Sequence, residues 1–67
     1  MSELIIHKLD ERGHIHYIPI SQAAKEIAIM LDKDMDCQKE YEYQLAENMW
    51  IEVNDILYYL SVFRGEV

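Results

Sequence analysis

The sequence predicts an α+β fold: an N-terminal β-hairpin followed by a short helix and a long amphipathic C-terminal helix, in the order ββαα and assembled as a homodimer. Three observations lead to this prediction. Two isoleucine-rich runs, residues 3–9 and 14–20, flank a segment of turn-forming residues. Apolar residues then recur at helical spacing after Ser21. From Cys37 a second helical pattern begins, and it is much longer than the first.

The hairpin is predicted from the turn between the two runs. Residues 10–13 begin with an aspartate and end with a glycine, which suits a type I turn whose last residue is left-handed. Pairing Leu9 with His14 sets the register, and this register places His7 opposite His16. Two strands alone are marginally stable in water, so another element must cover one face of the hairpin.

The first helix is predicted to cover that face. Pro19 ends the strand, and Ser21 is a good N-cap for a helix over residues 22–31. The helix ends in an aspartate-rich loop, where either Asp34 or Asp36 can cap the next helix. The residues predicted to face the sheet, or to flank those that do, are Ala23, Ala24, Ile27, Ala28, Met30 and Leu31.

The second helical pattern changes character after Val53. Up to that residue it is amphipathic, but residues 56–63 are apolar nearly all round and must therefore be buried on two sides. The hairpin and the first helix are too small to surround them, so we expect homodimerisation through this segment. The predicted interface residues are Trp50, Ile56, Tyr58, Tyr59, Val62 and Phe63.

Two structural alternatives for the C-terminal segment stay open. The helix could break at residues 54–55, which would give a third helix capped by Asn54. Residues 56–63 are also rich in β-forming side chains, so they could form a strand that pairs across the dimer.

Length and cysteine content indicate a single domain, spanning residues 1–67, in a reducing compartment. A chain of 67 residues leaves no room for a second core. Cys37 is the sole cysteine, so no disulfide can form within the chain. The apolar run at residues 4–6 is too short for a signal peptide or a membrane span. We expect a soluble, cytoplasmic protein.

The charge balance argues against direct binding to nucleic acid or to an anionic membrane. The chain carries 13 acidic and 6 basic residues, a net charge of -7. Nine of the acidic residues lie within residues 32–67. Nucleic-acid binding needs a basic surface that neutralises phosphates, and this chain has the opposite field. The natural complement is a basic protein surface.

One segment resembles part of a known DNA-binding motif. Residues 20–27, Ile-Ser-Gln-Ala-Ala-Lys-Glu-Ile, are similar to the opening helix of helix-turn-helix domains. That motif continues with a tight turn and a recognition helix bearing basic and polar side chains. Here the next residues are Ala28-Ile29-Met30-Leu31-Asp32 and the following helix is acidic, so we predict no DNA binding.

An acidic face is the leading candidate for partner binding. Carboxylates separated by four and seven residues along a helix lie roughly 6 and 10 Å apart, an arrangement that can imitate the charge pattern of phosphates. The predicted mechanism is occlusion of a basic groove on a nucleic-acid-binding host protein. In size and charge alone, the chain resembles phage-encoded inhibitors of this kind, including DNA mimics. The predicted residues are Asp32, Asp34, Asp36, Glu40, Glu47 and Asp55.

Other functional classes have weaker support in the sequence. The predicted register brings His7, His14 and His16 to one face of the hairpin, where imidazoles could bind a metal or sense pH. No carboxylate or thiol completes a ligand set, so we predict no metal and no cofactor. Neither Cys37 nor Ser21 has an oriented base nearby in sequence, and we predict no enzymatic activity. The alternative to an inhibitor is an assembly adaptor that uses its C-terminal aromatic surface.

Overall fold

A computed structural model describes residues 3–31 and 35–61, except for the side chain of Met35. The α+β class is confirmed, but the predicted order ββαα is wrong because two further strands follow the helices. In chain order the elements are β1 (Ile5–Leu9), β2 (Ile15–Pro19), α1 (Ile20–Met30), a 3₁₀ helix (Met35–Cys37), α2 (Gln38–Asn48), β3 (Trp50–Val53) and β4 (Ile56–Leu60).

The N-terminal hairpin and its turn are confirmed. The backbone N–H of Gly13 donates to the carbonyl of Asp10 at 3.0 Å, and Gly13 has a left-handed φ of 86°. The side chain of Asp10 fixes the turn further, because its Oδ1 accepts hydrogen bonds from the backbone N–H groups of Arg12 and His14, both at 2.9 Å.

The predicted register of the hairpin is wrong by one residue. The backbone N–H of Asp10 donates to the carbonyl of His14, so this pair closes the ladder, and His7 lies opposite Tyr17. Lys8 lies opposite His16. A slip of one residue moves every side chain of a strand to the other face. His7 and His16 therefore point to opposite sides of the sheet.

Helix α1 begins earlier than predicted, and its N-cap is not Ser21. Pro19 precedes the helix in an extended conformation and makes no side-chain cap. The backbone N–H of Ser21 lies in the first turn and donates to the Glu3 carboxylate at 3.2 Å, so an acidic side chain from elsewhere satisfies this end of the helix. The predicted inward stripe is confirmed for Ala23, Ala24, Ile27 and Ala28, which are all buried, but it is wrong for Leu31, which is 41% exposed.

Helix α2 ends at Asn48, so the long C-terminal helix does not form. Met49 adopts a left-handed φ of 73°, and its N–H donates to the Leu45 carbonyl at 2.9 Å. Asp36 does not cap this helix by its side chain as predicted. The residue before α2 is Cys37, which makes no cap, while Asp36 lies inside the 3₁₀ helix and Asp34 lies outside the described residues.

The C-terminal segment forms a second hairpin. Asn54 and Asp55 have φ angles of 50° and 65° and connect β3 to β4 in two residues, the arrangement of a type I′ turn. The alternative of a third helix capped by Asn54 is therefore wrong. Residues 56–60 form a strand, as the other alternative had it, but this strand pairs with β1 and β3 of its own chain.

All four strands form one antiparallel sheet in the order β2-β1-β4-β3. Ile6 and Tyr58 from its two central strands are fully buried, and they share one hydrophobic core with Ile27 of α1 and Leu45 of α2. Both helices consequently lie on the same face of the sheet. No helix within the described ranges is long and apolar enough to cross a membrane.

Two isoleucines on α1 provide a matched test of this packing. We expect Ile27→Ala to lower the free energy of unfolding by about 2–4 kcal/mol, because Ile27 is fully buried and its removal leaves a cavity. Ile29→Ala, at a position 59% exposed on the same helix, should change it by less than about 0.5 kcal/mol. Urea unfolding at neutral pH measures both values, and equal effects would contradict the described orientation of α1.

The turn between β3 and β4 gives a second test. We expect Asp55→Gly to raise the free energy of unfolding by about 0.5 kcal/mol, because glycine adopts a left-handed φ without steric cost. Asp55→Val should lower it, since a branched side chain is strained in that conformation. The same urea measurement distinguishes the two, and a stabilising valine would be incompatible with a left-handed φ at this position.

Candidate functional site

The candidate site is the face of the sheet that is turned away from the helices, which we call the outer sheet face. Side chains alternate between the two faces along each strand, so the neighbours of the buried residues Ile6 and Tyr58 point outward. The outer sheet face consists of Ile5, His7, Leu9, Ile15, Tyr17, Pro19, Trp50, Glu52, Leu57 and Tyr59.

A row of four ring side chains crosses this face at one level, with one ring from each strand. The registers align Tyr17 with His7, His7 with Tyr59, and Tyr59 with Trp50. The His7 ring meets the Tyr17 ring edge to face with centroids 4.8 Å apart, and the Tyr59 ring at 5.0 Å. These contacts hold the Tyr17, His7 and Tyr59 rings in a defined arrangement.

Large apolar side chains of the outer sheet face are exposed to solvent. Tyr17 is 68% exposed, and Ile5, Ile15 and Trp50 each expose more than 40% of their surface. Glu52 is the one residue on this face with a formal charge at neutral pH. The face is therefore a nearly neutral, ring-rich patch on an otherwise acidic chain.

The structure divides the predicted C-terminal interface between the two sides of the sheet. Trp50 and Tyr59 lie side by side on the outer sheet face, as an interface requires. Ile56 and Tyr58 instead lie on the core side. Ile56 is partly buried there, whereas Tyr58 is fully buried, so the prediction of Tyr58 as an interface residue is wrong. The error follows from treating a strand, with its alternating sides, as a helix. Val62 and Phe63 lie outside the described residues.

The predicted acidic row is shorter in the structure than in the sequence. Asp36, Glu40 and Glu47 are exposed on the 3₁₀ helix and α2. Asp55 does not continue this row, because α2 ends seven residues before it and Asp55 sits in the β3–β4 turn. The remaining predicted members, Asp32 and Asp34, lie outside the described residues. Tyr43, 67% exposed, lies between Glu40 and Glu47 along α2 and adds an apolar group to this side.

A polar cluster ties α1 to the inner face of the sheet. Lys8 on β1 makes a 2.8 Å ion pair with Glu26 on α1, and the hydroxyl of Tyr58 on β4 donates to the same carboxylate oxygen at 2.9 Å. Gln22 donates to the other oxygen at 3.1 Å. The Lys8 ammonium also lies 5.9 Å from the centroid of the Tyr58 ring.

The cluster shifts the acidity of two of its members. Burial acts to raise the pKa of Glu26, but hydrogen bonds from Lys8, Gln22 and Tyr58 outweigh it, and the pKa is lowered from its ordinary value of 4.5. Burial raises the pKa of Tyr58, and the hydrogen bond it donates to the Glu26 carboxylate raises it further. Both shifts favour an ionised Glu26 and a neutral Tyr58 at neutral pH. In this state the Glu26 carboxylate accepts the hydrogen bonds from Lys8, Gln22 and Tyr58.

The histidines do not form the predicted group on one face. His16 Nε2 lies 3.1 Å from Asp10 Oδ2, and His14 Nδ1 lies 4.0 Å from the same oxygen, while His7 is on the outer sheet face. The backbone hydrogen bond from His14 and the side-chain hydrogen bond from His16 lower the pKa of Asp10 to about 2. Within the described ranges, no group of three or more His, Cys, Asp or Glu side chains is placed to hold a metal ion.

Sequence reasoning missed the contribution of the first hairpin to the site. The predicted register placed His16 rather than Tyr17 opposite His7, because it was wrong by one residue. The signal that would have corrected the register is the turn itself. A type I turn followed by a left-handed Gly13 forms a three-residue loop, which pairs Asp10 rather than Leu9 with His14.

Comparisons of the chain with protein-family models, with curated proteins and with solved structures give no match. Any functional proposal therefore depends on the geometry of the described residues.

The polar cluster predicts how stability depends on pH. Because the folded-state pKa of Glu26 lies below its ordinary value of 4.5, ionised Glu26 stabilises the fold fully above that value, and the contribution is lost as the pH falls through the lowered pKa. We expect Glu26→Gln to be less stable than the wild type at pH 7, with a difference that shrinks steadily on acidification below about pH 4.5. Urea unfolding at a series of pH values measures this difference.

The matched control for that experiment is Glu47→Gln, which removes the same charge from an exposed position on α2. It corrects for the change in net charge. A difference between Glu26→Gln and the wild type that stayed constant from pH 7 to pH 3 would mean that the Glu26 carboxylate is not held by its partners in the folded state.

Proposed function

We propose that this chain is a non-enzymatic protein-binding protein whose binding surface is the outer sheet face. The observation that carries the proposal is the row formed by Tyr17, His7, Tyr59 and Trp50, which spans all four strands on the side of the sheet that neither α1 nor α2 covers. The free thiol of Cys37 supports placing this activity in the reducing environment of the cytoplasm.

The outer sheet face favours protein binding because keeping its apolar side chains in water is unfavourable in free energy. Burial of apolar area is favourable by roughly 25 cal/mol per Å², and aromatic side chains contribute large areas at little cost in conformational entropy. Tyrosine and tryptophan are accordingly enriched among the residues that dominate binding energy at protein interfaces. The exposed Tyr17 and Trp50 fit this role, and the strands beneath hold them on a rigid support. This proposal keeps the alternative of an assembly adaptor, but its binding surface is the whole outer sheet face instead of the C-terminal segment alone.

A second candidate function uses the opposite side of the molecule. Asp36, Glu40 and Glu47 are exposed there around Tyr43, in a chain with a net charge of -7. Such a surface suits a basic partner, including the nucleic-acid-binding host protein of an inhibitor or DNA mimic. Glu40 and Glu47 are separated by roughly 10 Å along α2, which covers only a short stretch of a phosphate backbone. This candidate would bind by charge and weaken as salt screens the carboxylates.

Two tyrosines with nearly equal exposure separate these candidates. Tyr17 lies on the outer sheet face and is 68% exposed, whereas Tyr43 lies on the acidic side and is 67% exposed. We expect Tyr17→Ser to weaken retention of the protein's partner about fivefold or more, the loss typical of truncating a principal interface residue. Tyr43→Ser should retain the partner. Affinity capture from bacterial lysate with tagged wild type and both variants, quantified by mass spectrometry, measures the ratio.

The salt dependence of the same capture completes the test. Retention through the outer sheet face should survive a rise in salt, because apolar burial is not screened. Loss of the partner in Tyr43→Ser and at moderate salt, with Tyr17→Ser unaffected, would reject the sheet and support the acidic side. Circular dichroism of each variant verifies that the fold is retained.

A further inference from the structure

We propose that the outer sheet face binds the same face of a second copy of this chain, giving a two-fold symmetric dimer with the sheets packed against each other and the helices outside. The proposal rests on the proposed function, since it uses the same surface, and it names the partner. Three features of the described residues support it: the distribution of charge, the position of the rings, and the dimensions of the face.

The charge distribution favours binding of a second copy over binding of a partner with the opposite charge. Two chains of net charge -7 repel each other unless they meet through a neutral surface. On the outer sheet face the one formal charge is Glu52, on the edge strand β3. The exposed carboxylates of Asp36, Glu40 and Glu47 belong to the helical layer on the far side of the sheet. Sheet-to-sheet contact is thus the arrangement that keeps the acidic sides of the two copies furthest apart.

The arrangement of the rings is compatible with contact between identical faces. A two-fold interface must be self-complementary, because each patch meets its own copy. His7 and Tyr59 lie on the two central strands, and Tyr17 and Trp50 lie on the edge strands. Apolar and aromatic groups therefore occupy both the middle and the flanks of the face, and no cation on it demands an acidic counterpart. Stacked sheets of this kind pack about 10 Å apart with interdigitating side chains.

The small area of the outer sheet face predicts a dimer that dissociates reversibly. Four strands spaced about 4.8 Å apart, each about five residues of 3.3 Å, give a patch of roughly 14 by 16 Å before side chains are counted. Folded monomers rarely expose contiguous apolar patches larger than a few hundred Å². The backbone footprints of two such patches together fall below the roughly 1,200–2,000 Å² that stable specific interfaces bury, so the dimer should be weak and dissociate on dilution. Small domains commonly gain stability by this kind of association.

The test is the oligomeric state of the full chain. Sedimentation velocity over a wide concentration series should show the wild type passing from the 8.0 kDa monomer to twice that mass. Tyr17→Ser should move the midpoint of dissociation to at least about fivefold higher concentration. Tyr43→Ser, with the same side chain removed from the acidic side, should leave the midpoint unchanged. Added salt should strengthen the dimer or leave it unchanged, since it screens repulsion between acidic chains.

Two results would overturn the proposal. A wild type that stays monomeric at every concentration excludes the second copy, and a dimer that Tyr17→Ser leaves intact excludes this face as its interface. In the first case, loss of a captured partner in Tyr17→Ser would still uphold the proposed function with another protein on the outer sheet face.

Discussion

The pairing of β1 with β4 is the constraint on which the remainder of the structure depends. It joins residues about fifty positions apart in the chain, such as Ile6 and Leu60, and it converts two separate hairpins into one sheet. The loop-closure cost of this pairing is offset by the core it creates, because Ile6 and Tyr58 meet there and are both fully buried. The same pairing places His7 beside Tyr59 on the other side of the sheet. Core and candidate binding surface are thus the two sides of one strand pair.

The polar cluster fixes how these strands align with the helix above them. Lys8 and Tyr58 are directly opposed in the β1–β4 register, and both bind the same oxygen of Glu26. A slip of one residue in either strand would turn its polar partner to the outer sheet face and leave Glu26 partly buried without it. An ion pair in such a position contributes little net stability compared with a well-packed apolar pair, but it penalises alternative registers heavily. The cluster is therefore best understood as a specificity element for strand alignment.

Local signals were sufficient for about half of the fold. The turn at residues 10–13 and the inward stripe of α1 follow from short-range chemistry, and both were predicted. The end of α2 could not be predicted in the same way, because Met49 adopts a left-handed conformation that tertiary pairing imposes and that its side chain does not favour. Strands β3 and β4 are only four and five residues long, and their apolar positions also fit a helical period. For the site, Trp50 and Tyr59 were predicted from the apolar composition of the C-terminal segment. Tyr17 was missed because the predicted register of the first hairpin was wrong.

The central position of β4 has a consequence for the order in which the protein can fold during synthesis. The ribosome delivers β1, β2 and α1 well before β4, so the inner edge of β1 and the apolar face of α1 must wait for a strand made roughly fifty residues later. Until β4 arrives, β1 has an unpaired backbone edge of the kind that other chains can capture. Non-local strand pairing also slows the final step relative to helix formation. The chain is therefore most vulnerable to misassociation while β1 and α1 have formed but β4 has not yet paired with β1.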